Sequence, residues 1–275
     1  MDFWVSVFEF IASKGEMPKS YDVYHFLWIF ITLFLTLLLL CTCKNLNNKR
    51  LRIMAGILWM TLVILEIMKQ VIFGFTVEDG RLVWNYNWYN FPFQFCASPL
   101  YILPFVAFAR DGRVRDAAIV FIASFSLFAG ICVYVFPNDV LTYSYFVNAQ
   151  AMFHHGAQIF FGIYLAFRCR EKMHLKNLGA AGVIFSILVG IAMILNEVVH
   201  RHLILNGSDD VFNMFFISPY FDCTLPVLSI FYDSVPYPVF LCIYILGFML
   251  CALVVMHLMN GLVRLTRYTK WSLAE

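Results

Sequence analysis

The chain has 275 residues, of which 62% are hydrophobic, 18% aromatic and only 13% charged, with a formal net charge of +2. Soluble domains carry about 25% charged residues, so this composition excludes an ordinary soluble protein and indicates a chain that crosses a membrane several times. The basic residues occur in short, interrupted clusters. Such clusters are typical of a solvated face, so nucleic acid is not expected as a partner.

Seven apolar segments are long enough, or nearly so, to cross a hydrocarbon core of about 30 Å, which requires roughly 20 residues. They lie at 24–43, 52–75, 91–109, 117–136, 149–167, 179–199 and 236–262. Residues 1–23 are expected to form an interfacial arm, and the proline- and aspartate-containing stretch 200–235 a long outer loop that re-enters the membrane or lies along its surface. The whole chain, 1–275, is therefore expected to form one all-α domain of seven transmembrane helices.

The distribution of basic residues predicts the orientation. Fourteen of the 19 Lys and Arg residues fall in alternate connections or in the C-terminal tail: Lys44, Lys49, Arg50, Arg52, Arg110, Arg113, Arg115, Arg168, Arg170, Lys172, Lys176, Arg264, Arg267 and Lys270. Because short cytoplasmic loops are enriched in Lys and Arg, the N-terminus is predicted to lie outside and the C-terminus in the cytoplasm. A bacterial cytoplasmic membrane is the first expectation for the location, and a eukaryotic endomembrane is the alternative.

Polar side chains inside the segments collect in the half nearest the predicted outer surface. At about 1.5 Å per residue, Cys96 lies roughly 8 Å and His155 roughly 9 Å below that surface. Other groups expected to line or support a cavity there are Glu66, Lys69, Gln70, Gln94, Asn148, His154, Gln158, Asn196, Glu197 and His200. Polar pairing between helices is the structural explanation, but such pairs have no reason to collect at one depth.

Cys96 and His155 at matched depth could form a catalytic pair, because a thiol becomes a nucleophile when an imidazole accepts its proton. Gln94 or a hydroxyl could donate to an oxyanion. Candidates for holding the imidazole tautomer are Asn148, Asn196 and Glu197. His154 and His155 project about 100° apart on a helix, so only one is expected to face the cavity. Taken alone, Cys96 could equally be a packing cysteine.

A metal site is the rival chemistry. His154, Glu197, His200 and His202 could in principle gather, but their spacing matches no known ligand pattern. No metal or other cofactor is therefore expected.

Four short motifs point to a known family. Pro92-Phe93-Gln94-Phe95-Cys96 begins the third segment, Phe136-Pro137 ends the fourth, His155 lies in the fifth, and Asn213 precedes Pro219. Together they resemble the YwaF-like bacterial membrane proteins, which belong with the eukaryotic transmembrane protein 164 family. The resemblance implies a cysteine acyltransferase that remodels phospholipids, with Cys96 as the acyl-accepting nucleophile and His155 as its base. Around the cysteine, Phe95 and Ala97 replace a proline and a histidine of the eukaryotic pattern.

We therefore expect a lipid acyltransferase or ester hydrolase that acts through Cys96 and His155 on a phospholipid or fatty-acyl ester in the bilayer. One alternative is a non-enzymatic binder or transporter that uses the same cavity to hold an amphiphile. Another is a structural subunit whose polar cluster meets a partner helix. The oligomeric state is left open.

Overall fold

The fold was obtained as a computed structural model, which describes residues 3–43 and 46–272, with side chains to Thr266. Lys44 and the side chains of Arg267 and Lys270, three of the basic residues used to predict the orientation, lie outside the described residues. The described chain is mostly helical, and its one sheet is a two-stranded hairpin.

The helices are α1 (Phe3–Ile11), α2 (Val23–Thr42), α3 (Asn48–Gly74), α4 (Pro99–Phe108), α5 (Arg113–Phe121), α6 (Leu127–Val135), α7 (Tyr145–Arg168), α8 (Leu175–Leu205), α9 (Leu228–Tyr232) and α10 (Tyr237–Ser272). The hairpin strands are β1 (Phe75–Glu78) and β2 (Arg81–Trp84), which follow α3 directly. A buried π-helical turn, Ile122–Ser126, joins α5 to α6 so that the two form one continuous rod. Side-chain caps begin three of the long helices: Asp22 on α2, Asn47 on α3 and Ser144 on α7.

Among the described residues, five helices are long and apolar enough to cross a membrane: α2, α3, the α5–α6 rod, α8 and α10. The other two predicted segments differ. The third was predicted as a helix over 91–109, but α4 covers only Pro99–Phe108. Pro92 and Pro99 disfavour helix in the residues before them, and Phe91–Ser98 folds into short turns. The fifth corresponds to α7, whose 24 residues include polar side chains that lower its mean hydropathy.

Helix α7 is the central helix of the bundle. It packs against α2, α3, the α5–α6 rod and α10, and 16 of its 24 residues are buried. Its polar residues therefore face other helices instead of lipid. A β-carbon added at Gly156 would lie 2.7 Å from the hydroxyl oxygens of Thr32 and Tyr134, so a glycine here permits the close approach of α7 to α2 and α6.

The stretch predicted as a long outer loop, 200–235, is partly helical and partly buried. Helix α8 continues to Leu205, and the short α9 lies near the other end of the stretch. Between them, Phe212, Met214, Phe215, Ile217 and Ser218 are each at most 1% exposed. Residues 212–218, here called the buried loop, therefore pack against the helices of the bundle. That this stretch re-enters the membrane stays a prediction.

The outer surface of the bundle is apolar. Large hydrophobic side chains such as Phe30, Ile57, Ile187 and Leu246 are more than half exposed. Contiguous exposed apolar surface on this scale is typical of helices that contact lipid.

Candidate functional site

Cys96 lies in a short 3-10 turn, Phe95–Ala97, immediately before α4, and its side chain is partly exposed. Two side chains of α7 bind the backbone carbonyl of this residue. Nε2 of His154 lies 3.0 Å from the carbonyl oxygen, and Nε2 of Gln158 donates to it over 2.7 Å. Residues 154 and 158 are one turn apart on one helix face, so α7 holds the cysteine turn at two points.

The hydrogen bonds define the tautomers of both histidines. A carbonyl oxygen can only accept, so the His154 nitrogen that faces Cys96 is Nε2–H. Nδ1 of His155 lies 2.7 Å from the carbonyl oxygen of Ala151 on its own helix, so this ring carries its proton on Nδ1. In the neutral rings, Nδ1 of His154 and Nε2 of His155 are therefore bare lone pairs.

Three buried acceptors on one turn of α7 lack a protein partner among the described residues. They are Nδ1 of His154, Nε2 of His155 and Oε1 of Gln158. Each residue is at most 4% exposed. Buried acceptors without partners are uncommon and mark a place where a donor such as a hydroxyl or water binds, or a reactive group.

The thiol and the imidazoles come from elements that are clamped together, yet they are not hydrogen-bonded. Within the described residues, no hydrogen bond joins Sγ of Cys96 to His154 or His155, and α7 reaches Cys96 through the backbone carbonyl instead. The structure thus brings the turn that carries Cys96 against the two-histidine turn of α7. It aims His154, and not His155, at the carbonyl.

A second polar cluster surrounds the buried carboxylate of Glu66 on α3. Lys69 forms an ion pair with Glu66 at 2.9 Å, and Gln70 and Gln150 donate to its two oxygens over 2.7 and 3.1 Å. Gln70 also donates to the backbone of Asn90 and accepts from Tyr86. Gln150 belongs to α7, so this cluster is connected to the helix that holds the cysteine turn.

Gln94 and Asn196 hold the buried loop. The Gln94 amide donates to the carbonyl of Asn213 and accepts from the backbone N–H of Phe215, each over 2.8 Å. The Asn196 amide makes the same pair of bonds to Met214. Oε1 and one Nε2–H of Gln94 are therefore engaged with backbone, which leaves the second Nε2–H as its donor for an oxyanion.

Three other predicted site residues point elsewhere. The Asn148 amide binds the backbone N–H and carbonyl of Thr142 over 2.7 Å each, which fixes the loop before α7. Glu197 binds Arg201 and Tyr220, and the His200 ring stacks on Tyr220 with centroids 3.6 Å apart. Neither Asn148, Asn196 nor Glu197 bonds an imidazole.

The sequence analysis missed several residues that form hydrogen bonds in the polar clusters around the site. Gln150 is a polar residue inside an apolar segment, and that signal could have placed it beside Glu66. Tyr86 and Tyr244, which bind Gln70 and the carbonyl of Phe215, carry no comparable signal because tyrosines are common in such chains. In the described part of the chain, no three His, Cys, Asp or Glu side chains gather where they could hold a metal ion.

Long apolar helices around a core of buried glutamine, histidine and glutamate side chains define a multi-pass integral membrane protein with an internal polar site. A family comparison is more specific. The TMEM164 family model matches residues 20–259, and the chain therefore belongs to the TMEM164 family. No curated protein and no solved structure was found to match the chain.

Proposed function

We propose that this protein transfers or hydrolyses fatty-acyl groups of membrane lipids, with Cys96 as nucleophile and His155 as the base that accepts its proton. Membership of the TMEM164 family supports a membrane-embedded activity of this kind. One observation carries the residue assignment: His154 and Gln158 of α7 both bind the backbone carbonyl of Cys96. This contact holds the cysteine turn against the part of α7 that contains His155, the residue after His154.

The topology proposed with this function has seven spans. Helix α4 together with the turns before it, and α7 inside the bundle, would cross in addition to the five apolar helices. The positive-inside distribution then gives an N-terminus outside and a C-terminus in the cytoplasm. Cys96 and His155 would lie in the outer half of the bilayer, within reach of a lipid ester of that leaflet.

The proposed chemistry has two balanced steps. The Cys96 thiol gives its proton to the bare Nε2 of His155 as Sγ attacks the ester carbonyl carbon; the ester C–O bond then breaks and the imidazolium returns the proton to the leaving alkoxide. The products are a lysolipid and a Cys96 thioester. In the second step, the hydroxyl of a lysolipid, or water, loses its proton to Nε2 and attacks the thioester carbonyl carbon. The C–S bond breaks, and the imidazolium returns the proton to Sγ, which restores the thiol.

Two features support His155 over His154 as the base. His155 already donates from Nδ1 to a fixed carbonyl, an arrangement that orients the ring and leaves Nε2 free to accept a proton. His154 uses Nε2 to hold Cys96. The thiol and Nε2 are not hydrogen-bonded without substrate, which is common, since catalytic hydrogen bonds often tighten only in the substrate complex.

The direct test is to trap the thioester. Purified protein in nanodiscs is incubated with a phospholipid that carries a terminal-alkyne acyl chain, and transferred chain is detected by cycloaddition before and after hydroxylamine. Wild type is expected to give hydroxylamine-sensitive label on the Cys96 peptide. Cys96→Ser should lack that label, and Cys132→Ser, at another partly exposed cysteine, should retain it. Equal labelling of wild type and Cys96→Ser would remove the nucleophile assignment.

The alternative is a non-enzymatic protein that holds an amphiphile in the same region. The absence of a thiol–imidazole hydrogen bond among the described residues favours it, because both rings are already bound to backbone. This alternative predicts that Cys96→Ser and His155→Gln retain lipid binding and biological function, whereas substitution of Glu66 does not. Complementation of a deletion strain by the three variants separates the two functions.

A further inference from the structure

Two cavities adjoin each other at one end of α3. The first, here called the membrane groove, has a volume of about 410 Å³ and lies between α3, α4 and the β1–β2 hairpin. The second, here called the outer cavity, has a volume of about 760 Å³ and lies between α1, the last turn of α3 and the hairpin. Phe75 and Tyr86 line both cavities, so the two meet across these rings.

The membrane groove is apolar. Val63, Ile67 and Val71 of α3 form one wall, at the spacing of one helix face, and Leu100 of α4 lies opposite. Ile67 is 58% exposed, so the groove opens sideways through a surface that faces lipid. An apolar, laterally open groove in a membrane-spanning helix pair suits an acyl chain of a neighbouring lipid.

The inner end of the membrane groove reaches the candidate site. Glu66 lines the groove and also accepts from Gln150 of α7, the helix that holds the cysteine turn. Leu100 follows Cys96 by four residues, about one helical turn. A chain lying in the groove would therefore pass beside the Glu66 cluster, close to the cysteine turn.

The outer cavity has apolar walls, formed in part by Phe8, Ile72 and Phe73, and it also carries charges of both signs. Its charged lining residues are Lys14, Glu9 and Asp210, and its neutral polar residues are Ser13, Thr76, Asn85 and Asn87. The segment that carries Lys14 is tied to the bundle, because Gly15 donates from its backbone N–H to the carbonyl of Tyr143 over 2.8 Å. One cation and two carboxylates match a headgroup that contains both a phosphate and an ammonium.

Resting on the proposed function, we infer that the two cavities together hold one zwitterionic phospholipid. An acyl chain occupies the membrane groove, the phosphate faces Lys14, and the ammonium faces Glu9 and Asp210. The aromatic rings of Phe75 and Tyr86, with Trp84 at the groove rim, lie at the boundary between chain and headgroup, where aromatic residues are favoured in membranes. This assigns the region between α1, α3, α4 and the hairpin as the lipid-binding site.

The test measures binding independently of catalysis. The Cys96→Ser protein in nanodiscs is irradiated with a phosphatidylcholine whose acyl chain carries a diazirine and an alkyne, and labelled peptides are located by mass spectrometry. Label is expected on the peptides that contain residues 63–71 and 100–101. Unlabelled phosphatidylcholine or phosphatidylethanolamine should compete with it about fivefold better than phosphatidylglycerol, because the anionic lipid lacks the ammonium.

Groove-filling variants provide matched controls. Val63→Trp and Val71→Trp place an indole in the membrane groove and should reduce its labelling by about fivefold or more. Ile64→Trp changes the adjacent residue, which is 52% exposed to lipid outside the groove lining, and should leave the labelling unchanged. Glu9→Gln combined with Asp210→Asn should abolish the preference for zwitterionic competitors, because both carboxylates that face the ammonium are then neutral. Melting temperatures of all variants identify any that fail to fold.

Three results would overturn the inference: label spread evenly over lipid-facing helices, equal labelling in Val71→Trp and Ile64→Trp, or equal competition by anionic lipid. The labelling experiment uses protein without the Cys96 thiol, so lipid binding in the cavities can be found even if no thioester forms. A thioester can likewise be found even if the lipid does not bind in these cavities. The site and the chemistry are therefore judged separately.

Discussion

Gln94 binds Phe215 across 121 residues of chain, with Oε1 of the glutamine 2.8 Å from the backbone nitrogen of the phenylalanine. Phe215 and Phe216 have φ values of 59° and 56°, a left-handed conformation that is strained for bulky side chains. The Gln94 amide, two residues before Cys96, therefore helps to hold a strained backbone against the cysteine turn.

Gln94→Leu should release the buried loop. The substitution leaves a buried N–H and a buried carbonyl without a partner, and each costs about 1–3 kcal/mol. Hydrogen–deuterium exchange of residues 212–218 should rise, while exchange of 141–148 stays unchanged. Asn148→Leu removes the equivalent pair of hydrogen bonds to the Thr142 backbone and should give the opposite pattern: faster exchange of 141–148 and unchanged exchange of 212–218. Exchange that rises equally in both regions would show global destabilisation and contradict a local clamp.

Lys69→Met should destabilise the protein by about 3 kcal/mol, near the lower end for a broken buried ion pair, because Gln70 and Gln150 still donate to Glu66. Adding Glu66→Gln should recover at least about 1 kcal/mol, since no buried charge then remains. Unfolding in detergent measures both.

The control for this double-mutant cycle of Glu66 and Lys69 is the exposed ion pair of Glu197 and Arg201, whose side chains are 37% and 75% exposed. Glu197→Gln and Arg201→Met should each leave the unfolding transition nearly unchanged, because exposed pairs are screened by solvent. Additive effects of the Glu66 and Lys69 substitutions would contradict coupling between them.

The two histidines should separate by role. His155→Gln removes the proposed base and should slow thioester formation by about 100-fold or more. His154→Gln keeps an N–H that can reach the Cys96 carbonyl and should retain most of the rate. His154→Leu removes that donor and should lower the rate by displacing the cysteine turn. Single-turnover acylation rates give the comparison, and a larger loss in His154→Gln than in His155→Gln would reverse the assignment.

Asp111, in the connection between α4 and α5, should make stability depend on pH. Hydrogen bonds from Asn48 and Arg52 hold the pKa of this exposed carboxyl below its usual 3.8. Because the folded pKa is the lower one, the stabilisation is complete above the unfolded value and is lost as pH falls through the folded pKa.

The melting temperature of the wild type should therefore fall more steeply below about pH 4 than that of Asp111→Asn. Asp209→Asn, at an exposed position in the stretch after α8, should keep the wild-type slope. Parallel curves for wild type and Asp111→Asn would indicate that the cluster of Asn48, Arg52 and Asp111 contributes nothing to stability.

Helix positions were largely predictable because they follow from local composition. The segment predicted at 24–43 agrees closely with α2, Val23–Thr42, since an unbroken apolar run fills the whole span. The β1–β2 hairpin also had a local signal that was missed. Asp79 and Gly80 both have positive φ, as expected for an Asp-Gly turn that connects two short strands. The hairpin was missed because its first residues continue the apolar segment that was predicted as a transmembrane helix.

The site was less predictable because it depends on rotation and on distant partners. Depth along the helices predicted that the elements carrying Cys96 and the two histidines lie close together, and His154 lies 3.0 Å from the Cys96 carbonyl. Which imidazole meets the cysteine turn depends on the rotation of α7, and sequence periodicity does not determine that rotation. The hydrogen bonds of Gln94 to Asn213 and Phe215 were not predictable, because these partners are more than 100 residues away.

The buried loop has a kinetic consequence. It packs against the cysteine turn, and most of its side chains are at most 1% exposed, whereas the membrane groove is open toward lipid. Molecules that arrive by lateral diffusion in one leaflet would therefore reach the site more readily than molecules dissolved in water. Turnover would then follow the mole fraction of a lipid in the bilayer and be insensitive to its total amount in suspension, as surface-dilution kinetics would reveal.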